Sequence, residues 1–266
     1  MTILVVGATG KTGRRVAAAL GARGVDHRPV SRKSPIAFDW FDRATWGPAL
    51  EGATAAYLVP PTFTLDDAEV AAFVPRAVEA GVRRLVLLSA RGIPDGDGRE
   101  RAVRESGVDW AVLRPTWFSH NFSEDFFLPQ VRAGQVVLPA GGDGAHPFID
   151  ARDIADVAVA LLTGEGPVGA VHELSGPRAL SFPSVLERIG AVSGRTPELV
   201  DVAPAAFTAM LVDGGMAPDY AEVLTGSLVA IRGGHDAHVS DGVPAVLGRD
   251  ARPFEDYLAE ASGAWA

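Results

Sequence analysis

Three glycines directly follow a short apolar run at the start of the chain. The run, residues 3–6, reads Ile-Leu-Val-Val, and Gly7, Gly10 and Gly13 follow it in a G-x-x-G-x-x-G spacing. An apolar run of this length predicts a strand buried on both faces, and residues 10–23 predict a helix that begins within the glycine turn. In such a strand–turn–helix unit the backbone can approach a pyrophosphate at the helix N-terminus. The sequence therefore predicts a dinucleotide-binding fold.

Apolar runs and helical patterns alternate along the rest of the chain. Further strands are predicted at residues 25–31, 36–38, 53–59, 84–88, 108–113, 147–149 and 171–174, and helices at residues 66–80, 98–105, 119–132, 152–163, 182–192, 218–232 and 253–261. This alternation is typical of parallel βαβ units. The fold class expected is α/β: a Rossmann-type, doubly wound parallel sheet with a smaller, mostly helical C-terminal substrate cap.

The composition limits the classes of function. The 266 residues include 33 acidic and 24 basic side chains, and the resulting net charge of −9 argues against a nucleic-acid partner, because phosphate backbones select clustered lysine and arginine. The chain contains no cysteine, which excludes disulfides and thiolate metal sites and fits a cytoplasmic location. Since no apolar run reaches the length of a membrane span, no membrane partner is expected.

The sequence matches only part of a second phosphate-binding motif, the phosphate loop of NTPases. Gly10-Lys11-Thr12 resembles the end of the phosphate loop of NTPases. That loop also needs a glycine five residues before the Gly-Lys pair, where this chain has Val5. ATP hydrolysis is therefore not expected.

The end of the second strand indicates which dinucleotide is bound. An acidic residue there would accept hydrogen bonds from a ribose 2′-hydroxyl and favour NAD. This chain has Ser31, Arg32 and Lys33 instead, and a guanidinium beside an ammonium suits a 2′-phosphate. The expected cofactor is NADP(H), with NAD(H) as the weaker alternative.

Residues 1–150 are expected to form the NADP-binding Rossmann domain, and residues 151–266 to complete the sheet and form the cap, with residues 119–146 also lining the pocket.

With these features in view, the chain resembles the NmrA-like family of atypical short-chain dehydrogenases/reductases, in its ergot-alkaloid-dehydrogenase-like and quinone-reductase-like branches. The resemblance covers essentially the whole chain. The blocks that carry it are Gly7-Ala8-Thr9-Gly10-x-x-Gly13, Phe38-Asp39-Trp40, Leu113-Arg114-Pro115-Thr116-Trp117-Phe118-x-x-Asn121 and Phe148-Ile149-Asp150-x-Arg152-Asp153-Ile154-Ala155.

The resemblance implies further contacts with the cofactor. Asp39 would lie beside the adenine, Val59 and Pro60 would line the nicotinamide ribose, Ser89 would lie near the nicotinamide, and Pro115 would border its carboxamide. Together with the motif residues, the cofactor-binding set expected is Gly7, Thr9, Gly10, Lys11, Thr12, Gly13, Ser31, Arg32, Lys33, Asp39, Val59, Pro60, Ser89 and Pro115.

The usual catalytic pair of short-chain dehydrogenases is missing. In Tyr-x-x-x-Lys the ammonium lowers the pKa of the tyrosine for proton transfer. The only lysines here are Lys11 and Lys33, and Gly7 and Pro29 stand four residues before them. Two catalytic candidates are left. The first is Ser89, for which the alternative role is a simple strand-end cap. The second is His120, because an imidazole titrates near neutrality; its alternative role is packing. No metal is expected.

An aromatic segment follows the sixth predicted strand. A helix over residues 119–132 would place Phe118, Phe122 and Phe126 on one side. Such a stripe is typical of either core or a flat apolar pocket. The substrate-binding residues expected are Trp117, Phe118, Asn121 and Phe122, with Phe126 and Phe127 in the core.

These features predict an NADPH-dependent reductase that transfers hydride to a small flat electrophile, namely a quinone, an enone or an iminium. Two other functions stay open. One is a catalytically silent protein that senses NADP(H), and the other is a non-redox lyase, cyclase or isomerase on the same fold. The expected partner is a small-molecule substrate, and a homodimer is also left open.

Overall fold

The structure is a computed structural model that describes residues 1–61 and 64–265. The strands are β1 (Thr2–Val6), β2 (His27–Val30), β3 (Ala53–Leu58), β4 (Arg84–Leu88), β5 (Asp109–Pro115), β6 (Gln135–Leu138), β7 (Ala145–His146), β8 (Ala170–Leu174), β9 (Leu180–Ser181) and β10 (Glu198–Asp201). The helices are α1 (Lys11–Ala22), α2 (Trp46–Leu50), α3 (Ala68–Glu79), α4 (Gly98–Arg104), α5 (Leu128–Ala133), α6 (Ala151–Thr163), α7 (Phe182–Ser193), α8 (Pro204–Asp213), α9 (Pro218–Arg232), α10 (Gly242–Leu247) and α11 (Phe254–Ala261).

Six strands form the central sheet in the order β2-β1-β3-β4-β5-β8, and every neighbouring pair in it is parallel. The chain passes from β1 to β2 on one side and then crosses to β3 on the other. The strand order therefore reverses beside β1, and in open α/β sheets ligands bind at the carboxyl ends of the strands at such a reversal. The predicted doubly wound parallel sheet is confirmed.

Helices cover both faces of the sheet. On β1, Ile3 and Val5 belong to the hydrophobic core that also contains Ile154 of α6, whereas Leu4 and Val6 belong to the core on the opposite face. Because side chains alternate between the faces of a strand, burial of both faces requires an uninterrupted apolar run. This requirement explains the sequence of β1.

A third core fills the helical C-terminal part. It contains Phe122, Phe127, Phe148 and Phe182, together with Tyr257 of α11. Two short pairs of strands brace this part: β6 lies parallel to β10, and β7 antiparallel to β9. Across residues 1–61 and 64–265, no helix combines the length and the apolar character that crossing a membrane requires.

Three predicted elements differ from the structure. Residues 147–149 form no strand, and only Ile149 forms an isolated bridge, with Phe118. Residues 36–38 form no strand and contribute only an isolated bridge between Ser31 and Ala37, because the segment is short and follows Pro35, which has no N–H to donate. The predicted helix over residues 119–132 is a 3-10 turn at Ser119–Phe122 followed by α5. Asp125, between them, has a φ of 71°, which a right-handed helix cannot accommodate.

Candidate active site

The glycine turn after β1 is packed too closely for side chains. Gly7 has a φ of 76°, and its carbonyl oxygen accepts a hydrogen bond from the N–H of Gly10 at 2.9 Å. A Cβ added to Gly13 would lie 2.2 Å from the same oxygen. Since the nearest neighbours of this Cβ are backbone atoms, only glycine fits at residue 13 without moving the turn.

The N-terminus of α1 has no side-chain cap. Gly10 occupies the cap position, and the first turn contains no acidic residue. Because the first N–H groups of a helix lack partners within the helix, this end attracts an anion. Thr9 and Gly10 are exposed, whereas the Thr12 side chain is buried, so Thr12 would contribute through its backbone N–H. These residues fit the pyrophosphate of a dinucleotide.

Two cations lie free at the end of β2. Arg32 and Lys33 are exposed, and across the part of the chain that the structure describes neither side chain forms an ion pair. The buried Ser31 shapes this turn: its Oγ lies 2.9 Å from the Oγ of Ser34 and accepts a hydrogen bond from the N–H of Lys33. Among residues 1–61 and 64–265, no carboxylate neutralises the positive charge at the end of β2.

The segment after β2 is fastened to the end of β3. The indole Nε1 of Trp40 donates to the carbonyl oxygen of Val59 at 2.9 Å, and Trp40 is buried. An added Cβ on Gly7 would lie 3.0 Å from the Cβ of Val59, so the predicted cofactor residues at the ends of β1 and β3 are neighbours. Asp39 accepts from the N–H of Phe41 at 3.0 Å and stays a predicted neighbour of the adenine.

An ion pair that the sequence did not predict lies beside the end of β4. The Ser89 hydroxyl donates to Oε1 of Glu100 at 2.6 Å. Glu100 is only 2% exposed, and Arg114 on β5 donates to both of its carboxylate oxygens at 2.9 and 2.8 Å. The sequence feature that indicated this ion pair was Arg114, because a charged residue in an apolar strand needs a partner of opposite charge. At the end of β5 the carbonyl oxygen of Pro115 accepts from the N–H of Arg91.

Lys11 has a local partner at the helix N-terminus. Its ammonium lies 3.3 Å from a carboxylate oxygen of Asp125, which is 75% exposed. A pair this exposed contributes about 1 kcal/mol at most. Lys11 therefore stays available to a bound pyrophosphate.

The structure corrects the role expected for His120. The ring is 1% exposed, and its Nδ1 accepts a hydrogen bond from the backbone N–H of Ala151 at 3.2 Å. Burial, and next the positive charge of Arg15, lower the pKa of His120 to about 4. A neutral imidazole buried in this way is a poor proton donor at neutral pH, so we assign it to the packing between the start of α6 and Tyr257 of α11, whose ring centre lies 4.9 Å away.

Burial of His120 has a consequence for stability. The unfolded chain binds a proton at this histidine near pH 6.5, whereas the folded chain binds it only near pH 4. The unfolded state therefore holds more protons between these values, and the free energy of unfolding is expected to fall, by up to about 1.4 kcal/mol per pH unit, as the pH drops through this range. Urea unfolding at a series of pH values measures this slope.

The replacement His120→Asn should remove that part of the slope. His172, whose pKa burial also lowers, would still contribute with the same sign. Asp150 at the N-cap of α6, Glu260 of α11 and Arg15 of α1 face His120 and are unchanged in the variant. An identical slope in the parent and in His120→Asn would contradict the assignment.

The carboxylates around His120 already have a cation. One donor atom each from His120, Asp150 and Glu260 lie within 4.8 Å of one another, a spacing that could hold a metal ion. However, Arg152 donates to Asp150 at 2.6 Å and lies 2.9 Å from Glu260. Arg15 lies 3.5 Å from Glu260 as well. Because these two guanidinium groups pair with the two carboxylates, we assign an ion-pair network here rather than a metal site.

The expected substrate residues divide into two groups. Trp117, Phe118 and Asn121 are half-buried beyond the end of β5, and the N–H of Trp117 donates to Nε2 of the buried His146 at 2.9 Å. Phe122, in contrast, is fully buried, and its ring centre lies 5.0 Å from that of Phe127. We therefore correct the expectation for Phe122, which belongs to the core of the cap.

Two further charged residues near the carboxyl edge were not predicted. Arg91, three residues after β4, lies 3.3 Å from Asp236 in the loop after α9. Asp236 also lies 3.0 Å from Nδ1 of His146.

A separate cavity of about 320 Å³ contains none of the expected cofactor or substrate residues; its lining is Phe148, Pro177, Arg178, Leu180, Pro253, Phe254 and Glu255.

Comparisons with known proteins indicate the family of this chain. The sequence model of the family described as NAD(P)H-binding matches residues 7–165. Festuclavine synthase I of Penicillium roqueforti is 33% identical over 100% of both chains. A (4-alkanoyl-5-oxo-2,5-dihydrofuran-3-yl)methyl phosphate reductase of Streptomyces griseus is 36% identical over 99% of both chains.

Solved structures share the fold. An NADPH-dependent quinone oxidoreductase of Escherichia coli, in complex with NADPH, matches with a TM-score of 0.74 at 22% identity and covers 98% of this chain and 99% of its own. The glycine turn, the uncapped helix and these whole-chain similarities lead to one conclusion. The protein belongs to the NAD(P)H-binding family and is an NAD(P)H-dependent oxidoreductase.

Proposed function

We propose that this protein is an NADPH-dependent reductase that transfers hydride to a small flat electrophile, namely a quinone, an enone or an iminium, without a tyrosine–lysine pair. The observation that carries the proposal is the charge along the carboxyl edge of the sheet. An uncapped helix N-terminus and the unpaired Arg32 and Lys33 together suit a dinucleotide with a 2′-phosphate.

The strand order sets the direction of the cofactor. Arg32 lies at the end of β2, and the anion site lies between β1 and α1. If the adenosine half binds over β2, the nicotinamide half must extend the other way, over the ends of β3 and β4. Val59 and Pro60 would then lie beside the ribose, and Ser89 beside the nicotinamide.

Two tyrosines and one histidine of this chain are poor proton donors. Burial raises the pKa of the Tyr57 hydroxyl and of the Tyr257 hydroxyl, and His120 is buried and neutral. When bound, NADPH supplies the hydride. An iminium needs no proton, whereas a quinone or an enone needs one, which water would supply. The proposed class of substrate therefore suits a site in which these three side chains do not donate a proton.

The half-buried Trp117 and Phe118 would provide an apolar wall for a flat ring, with Asn121 as a polar group beside it. The names of relatives support this chemistry. One 36% identical relative is named as the reductase of an oxo-dihydrofuran that carries an alkanoyl group. The Escherichia coli neighbour is named as a quinone oxidoreductase.

The test is NADPH oxidation, followed by absorbance, with matched panels of quinones, enones and cyclic iminium salts. We expect turnover with at least one class, and a smaller rate when NADH replaces NADPH. Cofactor affinity is measured in parallel by calorimetry. Tight binding of NADPH without oxidation by any class would contradict the reductase proposal and support the alternative of a catalytically silent protein that senses NADP(H).

A further inference from the structure

The Ser89–Glu100–Arg114 cluster has a fixed direction of hydrogen bonding. A serine hydroxyl has one proton to donate and lone pairs that accept. Ser89 gives its proton to Glu100 at 2.6 Å, and Arg114 donates to both oxygens of that carboxylate. A carboxylate held in this way can only accept. The free side of the Ser89 oxygen therefore presents lone pairs and no proton.

This oxygen lies where the nicotinamide half of the cofactor is expected. Ser89 is the residue after β4, its side chain is only half-buried, and its N–H donates to the carbonyl oxygen of Leu113 on β5. The ends of β4 and β5 are thus joined at this residue. The nicotinamide ring carries one group with hydrogens to donate, the NH₂ of its carboxamide.

We infer that the Ser89 oxygen accepts a hydrogen bond from the nicotinamide carboxamide, and that Glu100 is the positioning residue that fixes this direction. The inference rests on the cofactor placement proposed above. It gives Ser89 a role opposite to proton donation, because its only proton is held by a buried carboxylate. It also gives a purpose to a buried ion pair, which by itself is weak evidence for stability.

The same cluster could serve only to anchor α4 against β5, so the test needs a measurement that anchoring would not change. The 3-acetylpyridine analogue of NADP⁺ replaces the carboxamide NH₂ with a methyl group of similar size. The quantity to measure is the ratio of the two dissociation constants, analogue over NADP⁺, by calorimetry. For the parent protein we expect a ratio of about 5 to 10, the value of one ordinary hydrogen bond.

Three variants separate the roles. Ser89→Ala should bring the ratio close to one, while Ser89→Thr, which keeps the hydroxyl, should restore it. Glu100→Leu combined with Arg114→Met removes the ion pair as a unit, which proteins often tolerate. The Ser89 hydroxyl is then free to turn and can also donate to the carboxamide oxygen, which has a counterpart in the analogue, so the ratio should fall below that of the parent. A matched control is Asp153→Asn, which disturbs a fully buried carboxylate paired with Arg249 and Arg252.

The control should lower thermal stability and leave the ratio unchanged. A parent ratio of one, or a parent-like ratio in the Glu100→Leu/Arg114→Met variant with a native circular dichroism spectrum, would overturn the inference. No electron acceptor is present in these titrations. A protein that binds NADP⁺ and reduces nothing would therefore still test this inference, separately from the proposed reductase activity.

Discussion

Replacing Gly13 with alanine is expected to weaken NADPH binding strongly and to destabilise the fold. The added Cβ would lie 2.2 Å from the carbonyl oxygen of Gly7, 2.7 Å from its carbonyl carbon and 3.0 Å from the Cα of Ala8. These are backbone atoms, so no side chain can rotate away. Alanine gains about 1 kcal/mol in helix propensity, but overpacking of this kind costs about 3 kcal/mol.

Because relief of the contact must move the turn that approaches the pyrophosphate, we expect the loss in NADPH affinity to be on the order of 100-fold or more. Calorimetric titration and urea unfolding measure the two effects. Gly226 provides the control: it lies in α9, and beyond its chain neighbours and the adjoining helix backbone no described atom lies within 4 Å of an added Cβ. Gly226→Ala should be neutral or stabilising by up to about 1 kcal/mol. If Gly13→Ala behaved like Gly226→Ala, the close turn described above would be wrong.

Replacing Arg32 with alanine is expected to weaken NADPH binding by roughly 10- to 100-fold and to leave NADH binding nearly unchanged. The range is that of hydrogen bonds made by a charged group. The physical reason is that a guanidinium at the end of β2 would pair with a phosphate group that NADH lacks. Dissociation constants of both cofactors, measured at one fixed salt concentration, give the ratio that matters.

Two further variants sharpen this measurement. Lys33→Ala should have a smaller effect in the same direction, since an ammonium lacks the forked geometry of a guanidinium. Arg83 is also exposed but directly precedes β4, so it lies at the amino ends of the parallel strands, away from the proposed cofactor site. Arg83→Ala therefore controls for the loss of one positive charge. Equal losses of NADPH and NADH affinity in Arg32→Ala would refute the 2′-phosphate role.

The sheet could be predicted because strands that are buried on both faces consist of apolar residues, and such runs are visible in the sequence. The strands that the apolar runs predicted at 84–88 and 171–174 were confirmed as β4 and β8. The prediction for residues 36–38 was wrong, because three residues after a proline cannot sustain a ladder without neighbours to pack them. The pair of β6 and β10 was missed, because about 60 residues separate two short strands that only the fold brings together.

The aromatic segment shows the limit of periodicity. The spacing of Phe118, Phe122 and Phe126 fits a helix, but the positive φ of Asp125 interrupts the segment. Phe122 then turns into the core, while Trp117 stays half-buried. His120 shows a similar limit, since its position along the chain suggested chemistry but its burial lowers its pKa. Neither burial nor local charge can be read from the residue type alone.

The opening glycine turn was decided by sequence alone. A buried strand followed by glycines at that spacing permits few backbone paths, so residue order by itself fixes the strand, the turn and the uncapped helix N-terminus. The partners of individual charged side chains were decided only by the tertiary structure. Glu100, in a helix with Arg99, Arg101 and Arg104, has the sequence of a solvated surface residue. It becomes a buried acceptor for Ser89 because packing α4 against the sheet brings together three residues from separate elements, and contacts of that kind have no signature along the chain.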